Sequence, residues 1–318
     1  MTSRSYAECK PALSVLMPVY NAAPFLAEAI ESVLAQSFGD FEFLIHDDGS
    51  TDRSSEIIAH YSARDPRIIA SRGANAGIVS TLNMLIEKAR ADLLARIDAD
   101  DICMPARVEL QVAYLARNPD CVALGGAFVV MDESARPITR SEPPTSHDEI
   151  DGLNLRGVVA INHPTVMKRK SAVQTCGGYD PAFHASEDLD LWLRLAEIGL
   201  IANLPDVLLK YRVHSDSISG SKRDIQREAV RRACEAAWAR RGVEASFDYG
   251  DWRMGDTRAS RLEFYLRYGW QAWNSGYRAT WRHYAVQSVR LAPLSREAWT
   301  LLIAGGLRRG GTQRETTR

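Results

Sequence analysis

Apolar positions in the first hundred residues switch repeatedly between strand-like and helix-like spacing. "ALSVLMPVY" (12–20) is an unbroken apolar run of strand length, as in a strand buried on both faces. "PFLAEAIESVLAQS" (24–37) follows, with Leu26, Ile30, Val33 and Leu34 on one helical face. "FEFLIHDD" (41–48) predicts a second strand, and "GSTDRSSEIIAHYSA" a turn entering a helix. "RIIAS" (67–71) predicts a third strand, and "GIVSTLNMLIEKAR" (77–90) a helix with Ile78, Leu82, Leu85 and Ile86 inward. "DLLARID" (92–98) predicts a fourth strand, and Pro105 is expected to open the next helix.

Beyond residue 120 the pattern loosens. "CVALGGAFVVMD" reads as a strand, "SEPPTSHDEIDGLNLRG" as a loop and short helix. "HPTVMKRKSAVQTCGGYDP" gives a strand, a short helix and a glycine turn. "SEDLDLWLRLAEIG" is an amphipathic helix with acidic residues in its first turn, where the helix dipole favours them. "DVLLKYRVH" is a late strand; from 223 onward the chain reads as helical, with turns near 241–256, 274–276 and 292–295.

Such alternation implies an α/β fold with a mostly parallel sheet flanked by helices. In those sheets ligands bind outside the carboxyl ends of the strands. The polar clusters "PVYN", "HDDGSTD" and "DADD" all fall at predicted strand ends, which places them in one cleft.

Composition adds a boundary. Of 318 residues, 46% are hydrophobic and 25% charged, an ordinary globular balance. The net charge of -1 conceals an asymmetry: residues 1–220 hold 20 Lys+Arg against 30 Asp+Glu, and residues 221–318 hold 19 against 10. The second segment also carries 13 of the 26 aromatics. A break near 220 is therefore expected, before a basic, aromatic-rich helical region over 221–318. Trp270, Trp273, Tyr277, Trp281 and Tyr284 recur at helical spacing, as a stripe for core or for a membrane face. Five cysteines without a CxxC pair argue against a disulfide framework or zinc site. The N-terminal residues lack a signal-peptide core and no apolar run is of spanning length, so a cytoplasmic location is expected, at most on the inner face of the membrane.

Three constellations carry candidate chemistry. In "HDDGSTD", helix capping accounts for Ser50 or Thr51 but not for Asp47 and Asp48 together. A carboxylate at that strand end accepts hydrogen bonds from a base or ribose in nucleotide folds. In "DADD", Asp98, Asp100 and Asp101 crowd like charges that raise one another's pKa. A solvated acidic turn is the plain alternative; a hard divalent cation carrying a diphosphate is the chemical one. In "SEDLDLW", Glu187 and Asp188 either complement the helix dipole or supply a general base. Arg212 and His214 in "YRVH" would help neutralise a diphosphate. Neither GxGxxG nor GxxxxGK[ST] occurs, so dinucleotide oxidoreductase and P-loop chemistry drop out.

The ordered set "SVLMPVYNAAPFLAEAIESVLAQSF", "FEFLIHDDGSTDRS", "NAGIVSTLN", "RIDADDICMPARVELQ", "GGYDP", "SEDLDLWLRL" and "YRVHSDSIS" resembles the family 2 inverting glycosyltransferases of glycosyltransferase-A fold, over residues 12–220. The resemblance implies a nucleotide-sugar half over about 12–105 and an acceptor half over about 106–220, with Pro18, Tyr20 and Asn21 lining a nucleotide pocket. It implies that Asp47 or Asp48, with Asp48 favoured, meets the base, usually uracil. Asn75 and Arg96 would lie near the nucleotide or sugar. Asp98 and Asp100 match the DxD pair for Mn²⁺ or Mg²⁺, with His214 able to join. Gly177, Gly178 and Tyr179 match an acceptor-side loop, and Asp188 the catalytic base, with Glu187 beside it. The processive synthases' "QxxRW" is missing, so one sugar per encounter is expected. The expected partners are a nucleotide-sugar donor, probed first as UDP-sugar, and a glycan or lipid-linked acceptor. Residues 221–318 are expected to contact a membrane peripherally or to pack as structure, and nucleic acid is not expected. The competing classes are a sugar-phosphate nucleotidylyltransferase, whose "GxGTR" is not found in "PVYNAAPF", and a non-catalytic nucleotide-sugar-binding module.

Overall fold

The computed structural model describes residues 10–213, 221–248 and 258–307. In chain order the elements are β1 (Leu13–Val19), α1 (Ala23–Leu34), β2 (Phe41–Asp47), α2 (Ser54–Ser62), β3 (Ile68–Arg72), α3 (Ile78–Lys88), β4 (Leu93–Arg96), β5 (Ile102–Cys103), α4 (Arg107–Arg117), β6 (Cys121–Met131), β7 (Pro137–Arg140), α5 (His147–Asn154), β8 (Met167–Arg169), α6 (Lys170–Thr175), α7 (Glu187–Ala196) and β9 (Leu200–Arg212). The helices α8 (Ser221–Arg241), α9 (Arg258–Asn274), α10 (Arg278–Leu291) and α11 (Arg296–Leu307) follow.

The strands run in the order β3-β2-β1-β4-β8-β6-β9-β5, with β7 beside β6. Only β3, β2, β1 and β4 are parallel neighbours. β8 pairs antiparallel with both β4 and β6, and β5 pairs antiparallel with β9, so the sheet is mixed. β1 is buried along its whole length because both faces are covered. Leu13, Val15, Met17 and Val19 enter one core with α1, α2 and α4. Leu16, one residue out of that register, enters the other with α3, α5, α6 and α7. Strand order reverses at β1, whose neighbours are β2 and β4, and crevices open at such a point beyond the strand ends. Proline at 105 precedes α4 by two residues instead of opening it.

The chain divides into two compact units, but not by a single cut at 220. The first comprises residues 1–128, 141–212 and 224–251; the second comprises 129–140, 213–223 and 252–318. α8 belongs with the first because Val230, Ala233, Cys234 and Ala237 form a helical stripe packed on Leu189 and Leu193 of α7. Arg241 adds ion pairs to Asp151 (2.6 Å) and Glu197 (3.2 Å). In the second unit the expected single aromatic stripe is split between two helices by a turn at Gly276, where φ is +82°. Trp281 and Tyr284 are buried there, and Trp270, Trp273 and Tyr277 pack against the same core. The stripe is therefore interior packing. No helix among the described residues is long and apolar enough to cross a membrane.

Candidate active site

The end of β1 and the two loops after β2 and β3 are knitted by short polar side chains. Asn21 takes φ +51°, a left-handed conformation that asparagine tolerates. Its Oδ1 accepts from Thr51 N (2.8 Å), and its own N–H donates to Ser50 Oγ (3.0 Å). Asp47 Oδ1 accepts from Ser50 N (2.8 Å), while Oδ2 meets Ser55 and, at 3.4 Å, Arg72. Burial pushes the Asp47 carboxyl up, but the hydrogen bonds from Ser50 and Ser55, with Arg72 beside it, hold it below the usual range. Asp48 accepts from Ala76 N (2.8 Å) and Gly77 N (3.0 Å). Both aspartates of "DDGST" are thus engaged in shaping loops. Gly49 has φ +79°, and a Cβ there would lie 2.8 Å from Asn75 N, so only glycine lets the loops approach. Pro18 is buried in β1, whereas Tyr20 and Asn75 are exposed at the rim.

The "DADD" turn follows β4. One ligand oxygen from each of Asp98, Asp100 and Asp101 lies within 4.8 Å of the others. Arg96, buried at the strand end, grips Asp98 with both terminal nitrogens. Arg107 donates to the Arg96 carbonyl (2.8 Å) from beneath. Asp101 is fully buried; Oδ1 accepts from Arg212 N (2.8 Å), and Oδ2 has no hydrogen-bond partner. Burial and the two neighbouring aspartates drive its carboxyl well above the ordinary range. Burial also raises Asp98, and Asp100 and Asp188 add to the rise against the pull of Arg96. The Arg212 guanidinium donates to the Asp100 carbonyl (2.8 Å) and Glu28 (2.6 Å) and lies 4.6 Å from the Phe25 ring centroid. It props the acidic turn against α1, whereas the sequence pointed it at a diphosphate. His214 lies outside the described residues.

Glu187 and Asp188 open α7, near enough to the acidic turn for Asp188 to raise the Asp98 carboxyl. Asp188 Oδ1 accepts from Leu189 N (2.8 Å). Burial raises both carboxyls, and with Asp188 adjacent, Glu187 reaches about 7. Glu187 Oε2 is buried without a hydrogen-bond partner. Asp190 turns away and pairs with Arg194.

Gly177 and Gly178 have φ +80° and +77°, and a Cβ on Gly178 would meet Asn83 Oδ1 at 2.7 Å. Asn83 clamps the next residue, accepting from Tyr179 N (2.9 Å) and donating to Tyr179 O (2.8 Å). Tyr179 is 1% exposed, which removes its ring from the acceptor surface that sequence assigned to it. Its hydroxyl instead meets Lys168 and His163, two residues that carried no recognisable spacing signal.

The Glycosyl transferase family 2 model matches residues 14–175. "Putative glycosyltransferase EpsE" of Bacillus subtilis is 35% identical over 212 residues, covering 65% of this chain and 75% of that one. "Amylovoran biosynthesis glycosyltransferase AmsE" of Erwinia amylovora is 32% identical over 210 residues, covering 65% and 78%. Among solved structures, S. aureus TarS 1–349 in complex with UDP-GlcNAc superimposes with a TM-score of 0.55 at 15% identity, covering 92% of this chain and 84% of that one. Mannosyltransferase PcManGT from Pyrobaculum calidifontis, in complex with GDP-Man and Mn²⁺, gives 0.53 at 18%, covering 94% and 80%. These two likenesses are of fold, the glycosyltransferase-A type.

Proposed function

The chain belongs to glycosyl transferase family 2, and from that premise we propose that it moves one sugar per encounter from a nucleoside-diphosphate donor to an acceptor hydroxyl, with inversion. The observation that carries the reading is the meeting of two carboxylate groups beyond the carboxyl end of β4: Asp98, Asp100 and Asp101 after that strand, and Glu187–Asp188 at the start of α7. Within the Glu187–Asp188 pair, Glu187 Oε2 is buried without a hydrogen-bond partner and burial raises both carboxyls, a combination that favours a functional site over a non-catalytic module.

In this reading Tyr20, Asn21, Asp47, Asp48 and Asn75 frame the nucleotide, for which UDP is the first candidate. Gly177 and Gly178 shape the acceptor side. Asp188 takes the proton of the acceptor hydroxyl as that oxygen attacks the anomeric carbon from the face opposite the diphosphate. Glu187 shares the raised negative field. Arg96 fixes the orientation of Asp98. Asp98, Asp100 and Asp101 fit a hard cation, since they present clustered carboxylate oxygens and Asp101 keeps a buried oxygen without a partner. A bound Mn²⁺ or Mg²⁺ would supply positive charge to the departing diphosphate.

The relatives' naming as glycosyltransferases, one of them of amylovoran biosynthesis, supports polysaccharide biosynthesis as the setting. A lipid-linked acceptor and reversible membrane contact belong to the same proposal. Residues 252–318 hold 12 Arg and no Lys against 4 Asp+Glu, an excess that survives assigning α8 to the first unit. The reading is tested by incubating the protein with UDP- and GDP-sugars and Mn²⁺ and following nucleoside diphosphate release by mass spectrometry. Release from at least one donor, lost in Asp188→Asn, is expected. Donor release by Asp188→Asn at the wild-type rate overturns the assignment of the base, and no binding of any nucleotide sugar overturns the function.

A further inference from the structure

Lys168 is an unusual side chain to find where it is. It sits on β8 at 1% exposure, inside the core beneath α7. Its Nζ donates to the Tyr179 hydroxyl and lies 4.6 Å from the Tyr179 ring centroid and 5.5 Å from that of Trp192. The hydroxyl also meets His163 Nε2 at 2.6 Å, and His163 packs edge-on against Trp192 with centroids 5.5 Å apart. The donor order follows from chemistry. An ammonium only donates, so the phenol oxygen accepts from Lys168 and its O–H donates a hydrogen bond to His163 Nε2, which requires a neutral imidazole. Burial, Arg96 and Lys168 lower the His163 pKa well below its ordinary value, in agreement.

The network lies one helical turn below Asp188. Trp192 follows Asp188 by four residues on α7, and helical side chains lean toward the N-terminus, so Trp192 projects from the face that carries Asp188. Asn83 pins the backbone of Tyr179 from α3, so the phenol is held at both ends. Simple packing would fill this space with an apolar residue. A buried ammonium costs several kcal/mol in general and persists where it meets a partner.

We propose that Lys168, held on Tyr179 and His163, is a positioning residue for the Glu187–Asp188 pair, its charge favouring the ionised form of Asp188. The proposal rests on the assignment of Asp188 as general base. The charged and titratable groups around Asp188 are Glu187 on its own helix, Arg96 and Asp98 at the end of β4, Lys168 on β8, Tyr179 before α7 and His163 before β8. Arg96 is committed to Asp98. Lys168 is the cation among them that is not bound to the acidic turn. Burial and Arg96 lower its pKa to about 7, so Lys168 carries its charge below that pH.

The test is the pH profile of donor turnover, taken at saturating Mn²⁺ for wild type, Lys168→Met, Tyr179→Phe and Asp188→Asn, with UDP affinity and melting temperature measured alongside. Loss of the positive charge lets Asp188 protonate earlier as pH falls. The acid limb of Lys168→Met should therefore move up by about one pH unit: turnover falls about tenfold below the wild-type midpoint and less than about twofold on the plateau. UDP affinity should stay within about twofold. Tyr179→Phe removes the acceptor of the ammonium, destabilises its charge, and should move the limb the same way; it decides the matter if Lys168→Met does not fold. Profiles of the folded variants that overlay wild type, or fall by one factor at every pH, overturn the proposal while Asp188→Asn stays inactive. Full activity of Asp188→Asn instead removes the base assignment on which it rests.

Discussion

Asp48 offers a test of what a strand-end aspartate does in this fold. Sequence resemblance favours it as the contact to the base, while the structure occupies both its oxygens with the amides of Ala76 and Gly77, at 2.8 and 3.0 Å. The side chain is 5% exposed, so its oxygens depend on those two amides rather than on open solvent. Asp48→Asn keeps the shape and one acceptor oxygen but turns an NH₂ toward one of the two amides. The loss is one charge-assisted bond, about 1.5–3 kcal/mol, and it leaves one loop N–H without its carboxylate partner. Gly77 is the N-cap of α3 and has no side chain to take over. For a unit of this size each kcal/mol shifts melting by about 2–4 °C, so the unliganded variant should melt about 5 °C below wild type. The assay is thermal melting without nucleotide, followed by a UDP titration. A loop-holding Asp48 lowers both stability and affinity. If melting of the free protein stays within about 1 °C of wild type while UDP affinity falls, the loop role is wrong and the carboxylate serves the base alone.

Four further outcomes are expected. Asp100→Asn should raise the Mn²⁺ concentration needed for half-maximal turnover by about tenfold or more, because a hard cation loses a charged ligand; full turnover of wild type in chelator would contradict the metal reading. Asp188→Asn should lower turnover by about 10²–10⁴-fold with nucleotide affinity unchanged, measured by steady-state kinetics and calorimetry. Glu187 is pushed to about 7 by burial and by Asp188, above its unfolded value, so folding favours its protonated form and stability is lost as pH rises toward 7. Glu187→Gln should therefore raise the melting temperature at pH 8, by up to about 3 kcal/mol of stability, and much less at pH 5; an equal gain at both pH values would refute this. Vesicles of anionic lipid should pellet the full chain at low salt and release it at high salt, since arginines near such a surface contribute about 1 kcal/mol each, and retention in the supernatant would leave the second unit a structural role.

The parallel half of the sheet was legible because β1, β2 and β4 are buried on both faces and each helix on one, so apolar runs and 3.6-residue spacing mark them directly. The antiparallel half was not. Runs such as "CVALGGAFVVM" and "LIANLPDVLLKYR" identify strands but say nothing of direction or neighbour. The break at 220 followed charge, whereas α8 is placed by Val230, Ala233, Cys234 and Ala237 at i, i+3, i+4 and i+7, a signal present in "VRRACEAAWAR" beneath its arginines. Asp98, Asp100 and Asp188 were readable as motifs in order. Tyr179 was matched to an acceptor-side loop, and a motif carries no sign that its ring is buried; Lys168 and His163 were invisible because neither their spacing nor their type marks a site.

Three aspartates in four residues remain the costliest feature of the molecule, and the fold answers that cost only in part. Two ionised carboxylates within 4.8 Å repel by about 3–4 kcal/mol at an effective dielectric constant near 20. Arg96 offsets one of the three charges, and the Arg212 amide satisfies one oxygen of Asp101. The remaining strain falls on Asp101, whose raised pKa favours a bound proton over a third charge. That balance holds only while the crevice contains no further anion. A nucleoside diphosphate would add negative charge beside Asp98 and Asp100, and the Arg212 guanidinium is already committed to Glu28 and the Asp100 carbonyl. In the proposed reading the positive charge that lets a diphosphate sit there arrives as a cation with the donor. On that reading a carboxylate cluster at the end of a parallel strand makes donor affinity and cation concentration one linked quantity.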